Sequence, residues 1–207
     1  MQFDEKYIVE GCKKSNKIAQ RELYERYSQV MYAICRRYVT NFAEAKDVMH
    51  EGFIKILSKI RQYKGNGSFE GWMKRIMINT SISHYHKNKK HFAHLDEMDE
   101  NAYIEDTGTN VEDSFMEVDK TDISLEEINV DMVRNANFTR DELISSLDKI
   151  PQPYSIVFNL HILEGLKHKE IADLLKIDEK TSRTRLLRAR KQLQKVLYQL
   201  SVDKLGK

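Results

Sequence analysis

The sequence predicts an all-α protein in which two small helical modules, residues 1–90 and 139–207, are joined by a flexible acidic linker, residues 91–138. Three observations support this fold class. Apolar residues recur at helical spacing through both modules but not through the linker. The chain of 207 residues is long enough for one or two domains. It has 41% hydrophobic and 32% charged residues but only two prolines, which favours small helical units over a thick sheet.

The net charge of +2 conceals a division along the chain. Residues 1–90 contain 18 basic and 9 acidic residues, and residues 139–207 contain 14 basic and 9 acidic residues. The linker contains 2 basic and 14 acidic residues. Two basic modules therefore flank an acidic segment, and the average charge describes none of the three.

Composition also excludes several classes of protein. No apolar run reaches the roughly 18 residues that a membrane span needs, and the N-terminus lacks the apolar stretch of a secretory signal. Cys12 and Cys35 are too few for a disulfide framework. We therefore expect a reduced, cytoplasmic protein without membrane insertion. The histidines at 84, 86, 91 and 94 have no cysteine partners, so we predict no metal site and no cofactor.

The first module is expected to hold one short and three long helices. The short helix starts near Ile8, and the first two long helices follow apolar periods over residues 19–38 and 43–60. The glycine-rich run at 65–67 then breaks the chain, and Ser68 is a suitable N-cap for the third long helix.

The third long helix begins with Phe69, Trp72 and Ile76 on one stripe and ends in the basic run 84–90. Because Trp72 shares an apolar stripe, we expect it to belong to the core and not to a stacking platform for bases.

The second module resumes the helical period at Thr139. Leu143, Ile144 and Leu147 fit one helix, and residues 154–163 fit another. Gly165 is then a suitable C-cap before the next pair of helices.

Residues 166–193 predict two short helices joined by a tight turn, which is a helix-turn-helix whose second helix can lie in the DNA major groove. Asp178 is a suitable N-cap for the second helix. In that helix Leu186, Ala189 and Leu193 form an inward stripe. The same helix carries many basic residues: Lys180, Arg183, Arg185, Arg188, Arg190, Lys191 and, just beyond, Lys195.

Another stripe of this helix combines side chains that can read bases. Arginine can bond both acceptors of a guanine, and leucine and threonine methyl groups can touch a thymine methyl. The remaining cations suit phosphates. The predicted groove-facing residues are Lys180, Arg183, Thr184, Leu187, Arg188 and Lys191. The alternative is a solvated basic helix, but the turn and the inward stripe favour DNA binding.

Short motifs in both modules resemble the extracytoplasmic-function sigma factors, the small branch of the sigma-70 family of bacterial RNA polymerase initiation subunits. In the first module the motifs lie at residues 19–27, 44–53 and 67–79, and in the second at 147–151, 170–172 and 185–190. Each motif alone is unspecific, but all of them in order, with an acidic linker between, identify the family.

The resemblance implies a function for each module. A helix with Asp47, His50 and Glu51 would grip the clamp helices of the largest polymerase subunit. The helix-turn-helix would read the minus-thirty-five promoter element and contact the polymerase flap. The segment 66–90 would capture and melt the minus-ten element, and its candidate residues are Asn66, Lys74, Asn79, His84, His86 and Lys87. Core RNA polymerase and promoter DNA are the implied partners, and an anti-sigma factor is a further one.

Several positions depart from the family pattern. His50 stands where glutamine is usual, and Ser83 where aspartate is usual. In the helix-turn-helix Lys167 replaces a Ser or Thr N-cap, Lys176 a turn glycine and Ser182 an inward valine. We therefore expect this module to be marginally stable in isolation.

Two alternative functions stay open. An ordinary transcription regulator would use the same helix-turn-helix but bind DNA alone. A basic helical nuclease would need a carboxylate or histidine cluster for a metal. The resemblance favours the sigma factor, for which no catalytic residue is expected.

Overall fold

The computed structural model describes residues 4–88 and 130–205 of the chain. Every regular element in these residues is helical, which confirms the all-α prediction. The described residues fall into two compact units, the first unit (4–88) and the second unit (130–205). Residues 91–129 of the predicted linker lie outside the described residues.

The first unit contains four α-helices. Asparagine side chains cap two of them: Asn16 accepts from the amides of Ile18 and Ala19, and Asn41 caps the next helix in the same way. These caps explain why both helices begin slightly before the apolar periods that predicted them. The elements are α1 (Glu5–Lys13), α2 (Lys17–Arg36), α3 (Phe42–Lys59), a 3₁₀ turn (Ile60–Gln62) and α4 (Phe69–Asn88).

Helix α4 packs against both α2 and α3 and supplies much of the core of the first unit. Phe69, Met73 and Met77 are fully buried on it. The α3–α4 contact is close at Gly52, where an added Cβ would overlap the Sδ of Met77. A residue with a Cβ at position 52 would therefore require the buried Met77 side chain, or the two helices, to shift.

The second unit is built around one long helix. Thr139 begins α6 with a capping box, in which its backbone N–H donates to Glu142 Oε2 at 2.7 Å. The elements are α5 (Val130–Asn135), α6 (Arg140–Asp148), α7 (Gln152–Phe158) continuing as a π-helix (Asn159–Leu163), α8 (His168–Leu175) and α9 (Glu179–Leu205).

Helix α9 contacts every other helix of the second unit. Its 27 residues span about 40 Å, so it extends well beyond the helix-turn-helix. Ile150, Tyr154 and Ala189 form a buried cluster, and Leu147, Phe158 and Leu193 pack against it. The predicted inward stripe of Leu186, Ala189 and Leu193 is confirmed, since Leu186 and Ala189 are buried and Leu193 contacts this cluster.

The structure differs from the predicted boundary at residue 138. Helix α5 lies inside the predicted linker, yet it packs against α9. The Nζ of Lys204, near the end of α9, donates to the carbonyls of Ala136 and Asn137 and to Glu142 Oε2 at 2.8 Å. Residues 130–138 are thus held on the second unit by the far end of α9. The division of the chain into modules otherwise stays a prediction.

Candidate nucleic-acid and protein-binding surfaces

The three residues predicted to bind polymerase share one side of α3. Asp47 is exposed, and His50 and Glu51 are half-exposed. Glu51 accepts an ion-paired hydrogen bond from Lys55 at 2.7 Å, and this bond lowers the pKa of the Glu51 carboxyl. Ile54, one turn after His50, adds a side chain that is 69% exposed. We call Asp47, His50, Glu51 and Ile54 the α3 face.

Sequence reasoning did not single out Ile54. The sequence does place Ile54 on this side of the helix, because Ile54 lies four residues after His50 and outside the apolar stripe of α3. Its side chain adds exposed apolar area beside the carboxylates of Asp47 and Glu51.

His50 is held by a residue of the neighbouring helix. The Oη of Tyr24, on α2, lies 3.0 Å from His50 Nε2. The two rings are stacked, with centroids 6.0 Å apart and planes at 21°. Tyr24 in turn contacts Phe53 at a centroid distance of 4.9 Å, and Phe53 is buried. The imidazole is therefore oriented by contacts that begin in the core.

Half of the predicted minus-ten residues lie together on α4. Asn79 and Lys87 are exposed and His86 is half-exposed, all on one side of the helix. Trp72, half-buried, and Arg75, exposed, continue the same side toward the start of α4. We call these five residues the α4 face; it joins an indole, an amide and three basic or histidine side chains.

Lys74 and His84 lie elsewhere on α4. Each is about 140° around the helix from Asn79. Lys74 pairs with Glu70 at 2.8 Å. His84 is turned toward α3, where its Nε2 lies 3.4 Å from Glu44 Oε2. The structure therefore does not bring these two predicted residues together with the α4 face.

The loop with Asn66 is tied to the start of α4 by an aromatic cluster. Asn66 is exposed between two glycines with positive φ, 78° at Gly65 and 96° at Gly67. Tyr63 Oη donates to the Gly67 carbonyl at 2.8 Å, and its ring centroid is 5.5 Å from that of Trp72. The loop and the α4 face thus form one continuous surface.

The expectation that Trp72 belongs to the core is half right. One side of its indole stacks on Phe69, with centroids 5.8 Å apart and planes at 16°. The ring is nevertheless only half-buried, so part of it is open to solvent beside Arg75. This indole can therefore support the core and also offer a surface to a base.

Helices α8 and α9, with the turn between them, confirm the predicted helix-turn-helix arrangement. Lys180 and Arg183 are exposed, and Leu187 and Lys191 are half-exposed. We call these four residues the α9 face. Arg183 also pairs with Glu179 one turn earlier.

Two other predicted groove residues point partly toward the interior. Thr184 is only 8% exposed. Arg188 donates from Nη1 to the Oη of Tyr154 at 3.1 Å and lies over that ring. Arg185, counted among the cations suited to phosphates, is 1% exposed and is a core residue. Thr184 and Arg185 are thus buried where α9 packs on the rest of the second unit, whereas Arg188 stays half-exposed.

The replacement of an inward valine by Ser182 is compensated. Ser182 is fully buried, but its Oγ lies 3.0 Å from His168 Nδ1. The His168 ring stacks on His161 with centroids 4.6 Å apart, and His161 Nδ1 donates to the carbonyl of Leu166 at 2.9 Å. Burial, followed by the nearby His161, lowers the pKa of His168. The core hydroxyl thus has a hydrogen-bond partner.

The other two departures from the family pattern, Lys167 and Lys176, affect the two ends of α8. Lys167 offers no side-chain cap, but its backbone N–H donates to Glu170 Oε2 at 2.8 Å. Lys176 ends α8 in the left-handed conformation, with φ 54° and ψ 51°. A glycine would adopt this conformation without the steric cost of a Cβ.

Across residues 4–88 and 130–205 no group of His, Cys, Asp or Glu side chains is arranged to hold a metal ion. Cys12 and Cys35 are buried and free, and burial raises the pKa of each thiol to about 11. None of the helices that the structure describes combines the length and the hydropathy of a membrane span.

Two protein-family models match parts of the chain. "Sigma-70 region 2" matches residues 23–91, and "Sigma-70, region 4" matches residues 140–193. The first match covers most of α2 and all of α3 and α4. The second covers α6 to the first half of α9, so α1, the start of α2, α5 and the end of α9 lie outside both matches.

Similar proteins cover nearly the whole chain. The sequence is 26% identical to the ECF RNA polymerase sigma-E factor of Haemophilus influenzae over 96% of this chain and 98% of that protein. It is 28% identical to the ECF RNA polymerase sigma factor SigW of Bacillus subtilis over 93% of this chain and 96% of that protein.

One solved structure that the comparison matches is the sigma factor RpoE in complex with the anti-sigma factor NepR from Bartonella quintana. The TM-score is 0.43 and the identity 12%, over 86% of this chain and 95% of that chain. This similarity is too low to indicate a shared partner.

Proposed function

The chain belongs to the extracytoplasmic-function branch of the sigma-70 family and is a promoter-recognising sigma factor of RNA polymerase, and we propose that its surfaces divide this task among them. The observation that carries the proposal is the separation of three surfaces on two units: the α3 face, the α4 face with its loop, and the α9 face. We assign the chain no reaction of its own, since its surfaces are suited to protein and DNA.

The α3 face is proposed to bind the clamp helices of the largest polymerase subunit. Asp47 and Glu51 supply two carboxylates, and Ile54 supplies apolar area that would leave water on binding. Charge complementarity favours a partner rich in arginine and lysine.

The Asn66 loop and the α4 face are proposed to capture the minus-ten element. Strand opening costs about 1.4 kcal/mol per base step in lost stacking. Trp72 can restore part of this stacking, and Arg75 and Lys87 can hold the phosphates of the separated strand. Asn66, Asn79 and His86 remain candidates for contacts to bases. The positions of Lys74 and His84 do not support a role for either residue.

The α9 face is proposed to lie in the major groove at the minus-thirty-five element. Its exposed Arg183 and Lys180 can reach guanine acceptors or phosphates, and Leu187 can contact a thymine methyl. Arg188 and Thr184 can contribute only after moving from their present positions. The neighbouring polymerase flap is proposed to hold the second unit at this site.

Three further proposals rest on the family alone. The acidic residues between the two units would pass through the polymerase channel that later holds nascent RNA, with carboxylates standing in for phosphates. The protein would act in the cytoplasm, together with core polymerase. An anti-sigma factor would compete with polymerase for the protein.

Run-off transcription with purified core polymerase tests the proposed function. Wild-type protein plus core should give promoter-specific transcripts, whereas core alone should not. Changing both Asp47 and Glu51 to Lys should abolish core binding and transcription without loss of helix content. The control changes Glu22 and Glu25 to Lys; these residues lie on α2 away from the Tyr24 side, so core binding should persist.

The alternatives give different results. An ordinary regulator would bind promoter duplex tightly and specifically without core in a gel shift. A nuclease would cleave DNA when a divalent metal is added. Either result, with no core-dependent transcription, would contradict the proposed function.

A further inference from the structure

We propose that Tyr24 is a positioning residue of the α3 face: its hydroxyl orients the His50 imidazole so that the ring presents a hydrogen-bond donor to polymerase. The inference rests on the proposed role of the α3 face. Tyr24 lies on α2, outside the helix that carries the predicted polymerase-binding residues.

The geometry restrains the imidazole at two points. The 3.0 Å contact between Tyr24 Oη and His50 Nε2 fixes one edge of the ring. The stacked arrangement, with planes at 21°, limits rotation of the ring about its Cβ–Cγ bond. Tyr24 itself rests on buried Phe53, so the restraint is transmitted from the core of the first unit.

In the proposed arrangement the Tyr24 hydroxyl is the donor of this hydrogen bond and His50 Nε2 is the acceptor. A tyrosine hydroxyl that donates to Nε2 leaves the proton of the neutral ring on Nδ1. Nδ1–H is then the group that the half-exposed ring can offer to a partner. On either side along α3, the carboxylates of Asp47 and Glu51 only accept hydrogen bonds. The α3 face thus combines two acceptors, which are neighbours one turn apart, with one donor at their side.

Such a pattern fits a partner of matching chemistry. Arginine or lysine side chains would meet the two carboxylates, and a carbonyl or carboxylate beside them would accept from Nδ1–H. If the ring were free to rotate or to exchange its proton between nitrogens, binding would have to restrict it. Immobilising one side chain on binding costs a factor of about 2 to 12 in affinity.

A double-mutant cycle on the full chain tests this role. The variants are Tyr24→Phe, His50→Gln and the combination of the two, and the measurement is the Kd for purified core polymerase. A glutamine amide carries its own donor and acceptor, so it needs no hydroxyl to define which group it presents. Tyr24→Phe should weaken core binding about 3- to 10-fold when His50 is present and leave it unchanged in the His50→Gln background.

Tyr32→Phe is the matched control. Tyr32 lies on the same helix, two turns after Tyr24, and its hydroxyl donates to the backbone carbonyl of Phe42 at 3.4 Å. Loss of this hydroxyl should not change core binding. Circular dichroism and thermal unfolding should show that all variants retain the fold.

A second measurement covers the case in which Tyr24→Phe weakens the fold. The ¹⁵N chemical shifts of the His50 ring nitrogens in the free protein report which nitrogen carries the proton. Wild-type protein should show a protonated Nδ1 and an acceptor Nε2. Equal populations of the two forms in the wild type would overturn the proposal.

The remaining outcomes are distinguishable. An equal loss of affinity in the His50 and His50→Gln backgrounds would show that Tyr24 touches polymerase or only supports the fold, and it would overturn the positioning role. No loss in either background would overturn it as well. If wild-type protein fails to bind core at all, the proposed function itself is contradicted, and this result is distinguishable from the two outcomes of the mutant cycle.

Discussion

Individual histidines in the second unit link its stability to pH. Burial and the stacked His161 lower the pKa of His168 below its ordinary value of 6.5. In the unfolded chain this shift is lost, so below pH 6.5 the unfolded state binds more protons than the folded state. The stabilising contribution is therefore complete above pH 6.5 and is lost as the pH falls through the lowered folded pKa.

Replacing His168 by asparagine should remove this pH dependence. Asparagine can still hydrogen-bond to Ser182 near the position of Nδ1, but it does not titrate. We expect the Tm of wild-type protein to fall more between pH 7.5 and 5.5 than the Tm of His168→Asn. Thermal unfolding at both pH values measures the difference, with His86→Asn as the control. Parallel changes in wild type and His168→Asn would contradict this account.

Lys176 gives a second prediction for a single residue. Its left-handed backbone conformation is unfavourable for any residue with a Cβ, so Lys176→Gly should raise the free energy of unfolding by about 0.5–1 kcal/mol. Lys14 is the control, because it ends α1 with a φ of −88°, where glycine offers no relief. Denaturant unfolding compares the two variants. Equal effects of Lys176→Gly and Lys14→Gly would refute the explanation.

At the level of helices, the sequence predicts those that have one apolar stripe. Helices α2, α3 and the inward stripe of α9 follow directly from the spacing of their apolar residues. Helix α4 is different, because it packs against two helices and its apolar residues surround it. Periodicity therefore cannot define its outward side, and the family resemblance alone, which names Lys74 and His84 together with Asn79, does not separate the faces of the helix.

Sequence patterns also do not reveal features that depend on contacts between distant parts of the chain. Helix α5 has only six residues, too few to show a helical period, and its place on the second unit depends on contacts with α9, such as that of Lys204 with Ala136 68 residues earlier. Arg185 looks like one more basic residue in a charged run, but the packing of α9 buries it. Local patterns carry no information on such contacts.

The close contact between α3 and α4 gives a prediction for the packing of two helices. Gly52→Ala places a methyl group on the Sδ of Met77 and should destabilise the first unit by about 1–3 kcal/mol. Gly71→Ala is the control, since its Cβ would have its nearest neighbour at 3.7 Å, an ordinary contact. Urea unfolding should separate the two variants clearly. A Gly52→Ala protein as stable as wild type would show that α3 and α4 can move apart freely.

For the whole molecule, the distribution of charge matters more than its sum. Residues 1–90 and 139–207 are each basic, whereas residues 91–129 contain 13 acidic residues and one basic residue. We expect the carboxylates of residues 91–129 to compete with DNA for the basic surfaces of both units. Such competition would make DNA binding by this protein depend on core polymerase. In the complex, the two modules and the acidic segment would each occupy a separate site on polymerase.

Replacement of residues 91–129 separates a charged mimic of nucleic acid from a passive tether. A Gly/Ser segment of the same 39 residues keeps α5 on the second unit but removes the carboxylates. If the acidic segment occupies the RNA channel, the variant should bind core normally but initiate fewer productive transcripts. The ratio of abortive to full-length RNA should also change, because a growing transcript no longer displaces competing carboxylates. A scrambled segment with the same acidic residues is the control and should behave like wild type. In vitro initiation assays measure both quantities, and wild-type values for the Gly/Ser variant would show that the segment only connects the two units.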